Sequence, residues 1–371
     1  MKNKLRPSLF LIILLFCLSL PHGAVAKSES PPSLDSARNK LIGYMLSKQL
    51  PVMHFSDKVM NDELAFAAFD LYLKQLDFQK RFLLQSDVDK LAVLAPAIDT
   101  NLLRGTISLP DVGYEILAGR IEQVEKMTKQ ILAAGFDYHR DESLETDPDK
   151  LKYAASSADL HQRWRRILKS QIVSRYLDLV EEREKNEEDK EKTDKELWAE
   201  AEEKVSKRTL NFFNRMDQET RQDHFDRYFN AVTRAFDPHT NYMPPAGKED
   251  FDIHMRGSLE GIGALLREED GYIKVVRIIP GSASARQGKL QAEDIILRVG
   301  QGDEEPVEIT DMRLRDAVRL IRGPKGSEVR LTVKKPDGVK AVIAIQRDVV
   351  QIEETFVKSM ILDGGGGKKV G

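Results

Sequence analysis

The sequence predicts an α+β protein in which an all-helical region precedes a small β-rich domain. From Leu34 to about Phe236, apolar residues recur at largely helical spacings and glycine is scarce. After Ser258 the residue pattern changes to short runs that favour β-strands, namely GALL, YIKVVRII, DIILRV, VRLTV and AVIAI. A chain of 371 residues is long enough for both domains.

The first 26 residues have the pattern of a secretory signal peptide, with cleavage expected after Ala26. A basic start precedes an apolar run of 12 residues, Leu9 to Leu20, and the small-x-small sequence Ala24-Val25-Ala26 follows. The run is shorter than the ~20 residues that span a bilayer, which argues against an uncleaved anchor. The single cysteine, Cys17, lies inside this run, so the mature chain would form no disulfide. We therefore expect a periplasmic protein that associates with membranes only through partners.

The helical region is predicted to extend over residues 27–249 and to include an unusually charged segment, 181–208. Its alternating charges favour one long solvated helix, with a disordered tether as the alternative. Within it, Trp198 and Val205 are seven residues apart and are expected to hold the helix against a neighbour.

The β-rich domain is predicted to extend over residues 250–348, followed by a linker over 349–371. One helix is expected inside it, from about Asp311 to Arg322, because Gly323-Pro324 then stops the helical pattern.

A glycine pair, Gly261 and Gly263, brackets Ile262 just before a predicted strand. Glycine carries an entropic cost, so such a pair needs a reason. A dinucleotide fingerprint would place a third glycine at the sixth position and a helix next, but position 266 is Leu266. Two interpretations remain: the three consecutive amides form a nest that binds an anion, or the glycines only make a tight turn.

The strand after the glycines and the internal helix are predicted to form a groove. Apolar residues alternate along the strand and share one face, at Ile262, Ala264 and Leu266. A second apolar stripe lies along the helix, at Leu314, Val318 and Ile321. A strand edge, a helix stripe and an anion nest at one end suit an extended peptide with an apolar last side chain and a free carboxylate.

Three segments resemble a bacterial PDZ domain: SLEGIG (258–263), PGSASARQGKLQAEDIILRVGQ (280–301) and DAVRLIRGPKGSEVRLTV (316–333). More narrowly, they resemble the PDZ domain of the C-terminal processing peptidases, also called tail-specific proteases. Upstream, FDLYLKQLDFQKRFLLQSDVDKL (69–91) and AFDPHTNY (235–242) resemble the helical N-terminal region of the long, periplasmic branch of that family. The resemblance implies a small β-barrel-like sandwich with helices, following a helical scaffold.

The resemblance also implies a function. Family members capture apolar protein C-termini with the PDZ domain and cut with a Ser/Lys pair on a domain that follows it. This sequence stops at Gly371, about where that domain would begin, so no catalytic residue is assigned and the chain alone is expected to be inactive. Ser282 and Ser284 echo the family's serine motif but lie inside the PDZ segment, where a turn is expected.

Two functions therefore remain open: the substrate-recognition portion of a tail-specific serine protease, or a complete non-catalytic PDZ adaptor of the envelope. The expected partners are C-terminal tails of protein substrates and an envelope adaptor protein bound through the helical region. One departure from the family is Glu293, which replaces a glycine and would be strained at positive φ.

Composition narrows the function further. The net charge of −3 gives no support for nucleic-acid binding. The seven histidines are scattered, so no metal site and no cofactor are predicted. Substrate identity and oligomeric state are left open by the sequence.

Overall fold

The computed structural model describes residues 34–56, 58–185, 191–269, 271–302 and 304–351, together with two short strands at 362–363 and 369–370. The predicted signal peptide and most of the predicted linker lie outside the described residues.

The first part of the chain is helical up to Arg256. Its helices are α1 (Leu34–Met53), α2 (Asp62–Leu76), α3 (Gln85–Ala92), α4 (Ile98–Arg104), α5 (Leu109–Ala134), α6 (Ser157–Lys185), α7 (Asp194–Asp217), α8 (Arg221–Phe236) and α9 (Pro245–Arg256). No helix among the described residues combines the length and apolar character needed to cross a bilayer.

Helices α2 and α8 pack against each other in the middle of the helical core. Helix α2 begins where the side chain of Asn61 accepts a hydrogen bond from the Leu64 N–H, which satisfies a donor at the helix start. Tyr72 on α2 and Tyr228 on α8 are both almost fully buried, and their rings meet edge to face with centroids 6.1 Å apart. The helical periodicity of the sequence thus corresponds to one continuous core.

The prediction of one long helix over 181–208 is wrong, because residues 191–193 are not helical. Helix α6 ends at Lys185 and α7 begins at Asp194. Thr193 starts α7 with a capping box: its side chain accepts from the Glu196 N–H, and the Glu196 carboxylate accepts from the Thr193 N–H. These reciprocal bonds favour a helix start at this point over continuation of the preceding helix.

The packing of α7 through apolar residues within the charged segment is present. Trp198 stacks on Tyr176 of α6 with ring centroids 3.9 Å apart, and on Tyr138 at 4.1 Å. Val205 is buried in the helical core. The charged surface therefore covers a helix that is fixed to the core along one side.

The second domain is an antiparallel sheet with two helices. Its strands are β1 (Ser258–Gly261), β2 (Ala264–Glu269), β3 (Tyr272–Ile278), β4 (Ile295–Gln301), β5 (Val307–Glu308), β6 (Glu328–Lys334), β7 (Lys340–Gln346) and β8 (Asp348–Gln351), and its helices are α10 (Ala283–Gln287) and α11 (Leu314–Ile321). The main sheet has the order β2-β3-β4-β6-β7, with β5 beside β4. Strand β2 is therefore at one edge of this sheet, and α11 contacts it.

The two ends of the segment 258–351 lie side by side. Strand β1 pairs antiparallel with β8, with Gly261 opposite Asp348 and Leu259 opposite Val350. The boundary predicted at residue 250 falls inside helix α9, which ends at Arg256 and is capped by Gly257 in the left-handed conformation with φ 65°. The pairing with β1 places residues up to Gln351 in the sheet domain.

Glu293 adopts φ 72°, the left-handed conformation that makes a non-glycine residue costly at this turn. Its carboxylate lies 2.5 Å from the ammonium of Lys274, which holds the side chain on the outer surface of the domain.

Candidate peptide-binding site

The loop from Gly261 to Gly263 joins β1 to the edge strand β2, and its shape is held from below by the turn after β3. The Ile279 N–H donates to the Gly263 carbonyl at 2.9 Å, and the Ser284 N–H donates to the Ile262 carbonyl at the same distance. The Ser282 hydroxyl also donates to the Gly263 carbonyl, at 3.1 Å. These bonds direct the two carbonyls into the domain and hold the loop against the turn.

The two glycines of the loop are required for different physical reasons. Gly263 has φ 76°, and a Cβ there would lie 2.1 Å from the Cβ of Ser282, so both conformation and space require glycine. At Gly261 the backbone is not left-handed, and a Cβ would be 3.2 Å from Leu259 and 3.8 Å from the Arg322 side chain. Gly261 therefore allows neighbouring side chains to pass close to the backbone.

The loop has amide donors that other backbone groups do not use. Among the turn, loop and cap hydrogen bonds of the described residues, none is donated by the N–H groups of Ile262 or Gly263. Adjacent N–H groups beside a left-handed residue form a concavity that accepts an anion. That Gly261, Ile262 and Gly263 bind a carboxylate stays a prediction, and the unused donors are those of Ile262 and Gly263.

A cleft of about 320 Å³ runs from this loop between β2 and α11. It is lined by Leu259, Gly261, Ile262, Gly263, Ala264, Leu265, Leu266, Arg277, Ile279, Val318, Ile321, Arg322 and Val350. Most of these side chains are apolar, and the backbone edge of β2 forms one wall. The cleft has the form required for an extended chain that adds to a sheet edge.

Seven of the eight residues predicted for the site line this cleft, and Leu314 is the exception. Leu314 lies one helical turn before Val318 and packs, partly buried, against the core of the domain. Arg322 was not among the predicted site residues, although it directly follows the stripe residue Ile321. Val350 had no sequence signal, since only the pairing of β8 with β1 brings it to the loop.

A carboxylate of the chain itself lies beside the loop. Asp348, opposite Gly261 in the β1–β8 pair, is bonded by Lys325 at 3.0 Å and by Arg286 at 2.6 Å. The Lys325 ammonium, the Val349 N–H and the Arg286 guanidinium lower the pKa of Asp348 to about 2. These two basic residues compensate a negative charge that would otherwise oppose a second carboxylate at the loop.

Ser282 ends the turn that supports the loop, and Ser284 lies in the first turn of helix α10. Both are buried, with 3% and 0% of their surface exposed. Ser282 starts helix α10, since its hydroxyl accepts from the Ala285 N–H. The predicted turn is therefore present at Ser282, whereas Ser284 is helical.

The groove helix α11 is tied at its start to the helical region. Arg313 donates to a carboxylate oxygen of Asp223 at 2.7 Å, and Arg315 donates to the other oxygen. Burial opposes the charge on Asp223, but bonds from the Thr220 N–H and from the two arginines outweigh it and hold the pKa of Asp223 well below its usual range. In addition, Gln218 donates to the Asp311 carbonyl at 2.6 Å.

Asp223→Asn is expected to loosen the start of α11. Hydrogen bonds to a charged group contribute roughly 1–3 kcal/mol, so exchange of the amide protons in 311–322 should become about fivefold faster or more. Because the folded-state pKa lies below the unfolded value of ~4, this contribution is fully present above about pH 4 and is lost only at lower pH. Hydrogen exchange followed by mass spectrometry, corrected for intrinsic rates, should give the same difference between the variant and the unaltered protein at pH 7 and at pH 5, because the contribution is fully present at both.

Asp159→Asn is the matched control, because Asp159 has the same capping role at the start of α6, bonded to Ser156 within the helical region. Equal exchange of 311–322 in the Asp223 and Asp159 variants would show that the ion pairs do not hold α11.

Comparison with known proteins gives the family of each domain. Residues 46–246 match the family described as the tail-specific protease N-terminal domain, and residues 250–334 match the PDZ domain. The tail-specific protease of Haemophilus influenzae is 30% identical over 350 residues, which are 92% of this chain and 48% of that protein. The carboxy-terminal processing protease CtpA of Bacillus subtilis is 32% identical over 120 residues, 32% of this chain and 24% of that protein.

Among solved structures, the PDZ domain of a carboxy-terminal protease from Vibrio cholerae, in complex with peptide, is 41% identical. The match covers 25% of this chain and 98% of that one, with a TM-score of 0.25. The chain spans about half the length of the Haemophilus relative. Because the N-terminal-domain match alone covers more than half of the 371 residues, the chain belongs to the tail-specific protease family.

Proposed function

We propose that this chain provides substrate recognition in a tail-specific protease, by binding the free, apolar C-termini of proteins in the cleft between β2 and α11. The observation that carries this is the combination, in one PDZ domain, of an edge strand, an apolar helix face and unused loop N–H groups at one end. The names of the relatives, tail-specific protease and carboxy-terminal processing protease, support this substrate class.

The expected affinity follows from the cleft. A carboxylate bound by the Ile262 and Gly263 amides forms charge-assisted hydrogen bonds, which are about twice as strong as neutral ones. Burial of a last side chain such as valine or leucine against Val318 and Ile321 adds about 1.5–3 kcal/mol. The loss of translational and conformational freedom offsets much of this gain, so we expect a dissociation constant of roughly 1 μM or weaker.

Amidation of the peptide is expected to weaken binding by about tenfold or more, which corresponds to ~1.4 kcal/mol. The amide group has no charge and cannot accept the loop hydrogen bonds as well as a carboxylate does. Calorimetry with a short peptide ending in two alanines or two valines, as free acid and as amide, measures the difference. Equal binding of both forms would leave the glycine pair as a tight turn only.

Val318→Asp is expected to weaken binding of the free-acid peptide to the protein. The new carboxylate places an unpaired charge in an apolar cleft, which is unfavourable for an apolar side chain. Arg319→Asp on the outer face of α11, where the side chain is 58% exposed, serves as the charge control. Similar losses in both variants would place the effect in overall charge and not in the cleft.

We also propose that the protein works in the bacterial periplasm. The basic start, the short apolar run and Ala24-Val25-Ala26 support export with cleavage after Ala26. Mass spectrometry of the protein from the envelope fraction tests this, since a chain that retains Met1 would contradict it.

A further inference from the structure

Arg322 lies where the peptide cleft meets a second cleft. It follows the last residue of α11, and its side chain passes the loop at Gly261. It lines the peptide cleft and also a neighbouring cleft of about 450 Å³ between α9 and β1. Arg322 is therefore shared between the peptide site and the helix that joins the two domains.

Helix α9 supplies the partner of this arginine. Arg322 Nη1 lies 3.0 Å from Asp250 Oδ1 and 3.9 Å from Glu249 Oε1. The Arg322 side chain is 27% exposed, but those of Asp250 and Glu249 are 63% and 54% exposed. An ion pair this close to water is weak, because solvent screens it and two long side chains must be held in one geometry.

Helix α9 has little else to hold it. None of its residues with a described side chain is buried. Phe251 and Met255, one turn apart, are 50% and 72% exposed. The contact from Asp250 to Arg322 is thus one of the few that fix α9 against the sheet domain.

A bound C-terminus brings a stronger competitor for the same guanidinium. Its carboxylate would lie in the loop that the Arg322 side chain passes, where the Ile262 and Gly263 N–H groups already orient it. A planar guanidinium binds a carboxylate through two parallel hydrogen bonds, and a carboxylate held by other donors loses less freedom in doing so. Asp250 has no such second set of donors among the described residues.

We infer that Arg322 exchanges partners: Asp250 binds it without peptide, and the terminal carboxylate of a bound peptide takes it over and releases helix α9. This inference rests on the proposed function of the cleft. It gives the peptide site a direct connection to the junction between the domains, since α9 is the segment that joins them. The other end of α11 stays tied to the helical region through Arg313 and Arg315.

Asp250→Asn is expected to raise the affinity of purified protein for a free-acid peptide ending in two alanines about three- to fivefold, because the competing charge is gone. Affinity for the amidated peptide should stay unchanged. Asp252→Asn is the matched control: it lies on the same helix but pairs with Lys248 at 2.6 Å. Fluorescence anisotropy with labelled free-acid and amidated peptides measures these affinities for the unaltered protein and for both variants.

Arg322→Gln should lower the affinity for the free acid towards that for the amide, with the loop N–H groups keeping part of the preference, and adding Asp250→Asn to it should then change nothing. A second measurement does not depend on this variant. Hydrogen exchange in residues 245–256 of the unaltered protein should become faster with the free-acid peptide and not with the amide.

The outcomes separate the two proposals. Free-acid binding that Asp250→Asn leaves unchanged, with no change of exchange in 245–256, would overturn the partner exchange and leave the proposed function standing. If neither peptide binds, the proposed function itself fails.

Discussion

Gly263→Ala is expected to destabilise the PDZ domain by roughly 2–5 kcal/mol and to abolish peptide binding. Two costs combine at this position. The left-handed backbone, with φ 76°, costs about 1–2 kcal/mol once a Cβ is present. That Cβ would also lie 2.1 Å from Ser282 Cβ, and relief of such overpacking costs about 1–3 kcal/mol more. Since Ser282 is buried and bonded to the Gly263 carbonyl, the loop itself must move.

Gly281→Ala separates the two costs. Gly281 has almost the same backbone angle, φ 73°, but a Cβ there meets nothing within 4 Å. We expect this control to cost only about 1–2 kcal/mol and to retain binding. Hydrogen exchange of the β3 and β6 amides reports on the PDZ domain separately from the helical region. Equal losses in both variants would show that packing of Ser282 against the loop is unimportant.

Arg347→Met is expected to have a comparable effect, a loss of roughly 2–5 kcal/mol in PDZ stability and at least tenfold in peptide affinity. The Arg347 side chain is buried, with 3% of the residue exposed. It donates to the carbonyls of Ile321 at 2.8 Å and Leu320 at 3.2 Å, which end helix α11, and to the side chain of Gln301 at 2.6 Å. Methionine fills similar space but removes the donor from the Ile321 carbonyl and from the Gln301 side-chain oxygen, at about 1–3 kcal/mol each before relaxation, whereas the Leu320 carbonyl keeps a bond from the Gln301 amide at 2.6 Å.

The loss of binding follows from the position of these bonds. The last residues of α11 include Ile321, which lines the cleft, so a frayed helix end changes the peptide site. Arg319→Met is the control, because this side chain is 58% exposed and its nearest carboxylate, Asp316, is 3.8 Å away. We expect less than about 0.5 kcal/mol for it. Unchanged exchange of the β6 and β7 amides in Arg347→Met would show that the buried guanidinium does not hold the domain.

Local patterns in the sequence were sufficient to predict the fold class and most of the residues that line the cleft. The change from helical to alternating periodicity after Ser258 places the two kinds of structure, and the observed helices and sheet follow it. The strand face at Ala264 and Leu266 and the stripe at Val318 and Ile321 depend only on spacing along one element. The GIG motif predicts a special backbone because glycine has few other uses before a strand.

One prediction was wrong because a local helix-capping signal lies within a longer pattern of alternating charges. The charged segment 181–208 suggested one helix, but Thr193 and Glu196 form a capping box that begins a new one. The sequence contains this T-x-x-E pattern, but the pattern indicates a helix start only if the preceding helix has already ended.

The sequence by itself determined the α+β class, the glycine loop and the apolar faces of β2 and α11, because each depends on neighbours within a few residues. Only the tertiary structure decided what surrounds them. Gly323, predicted as a helix stop, has no left-handed φ; a Cβ there would lie 3.0 Å from the guanidinium of Arg347, so this glycine makes room for a side chain 24 positions later. Likewise, Asp250 reaches Arg322 across 72 positions. Such contacts join residues through the folded chain, and no periodicity along the sequence encodes them.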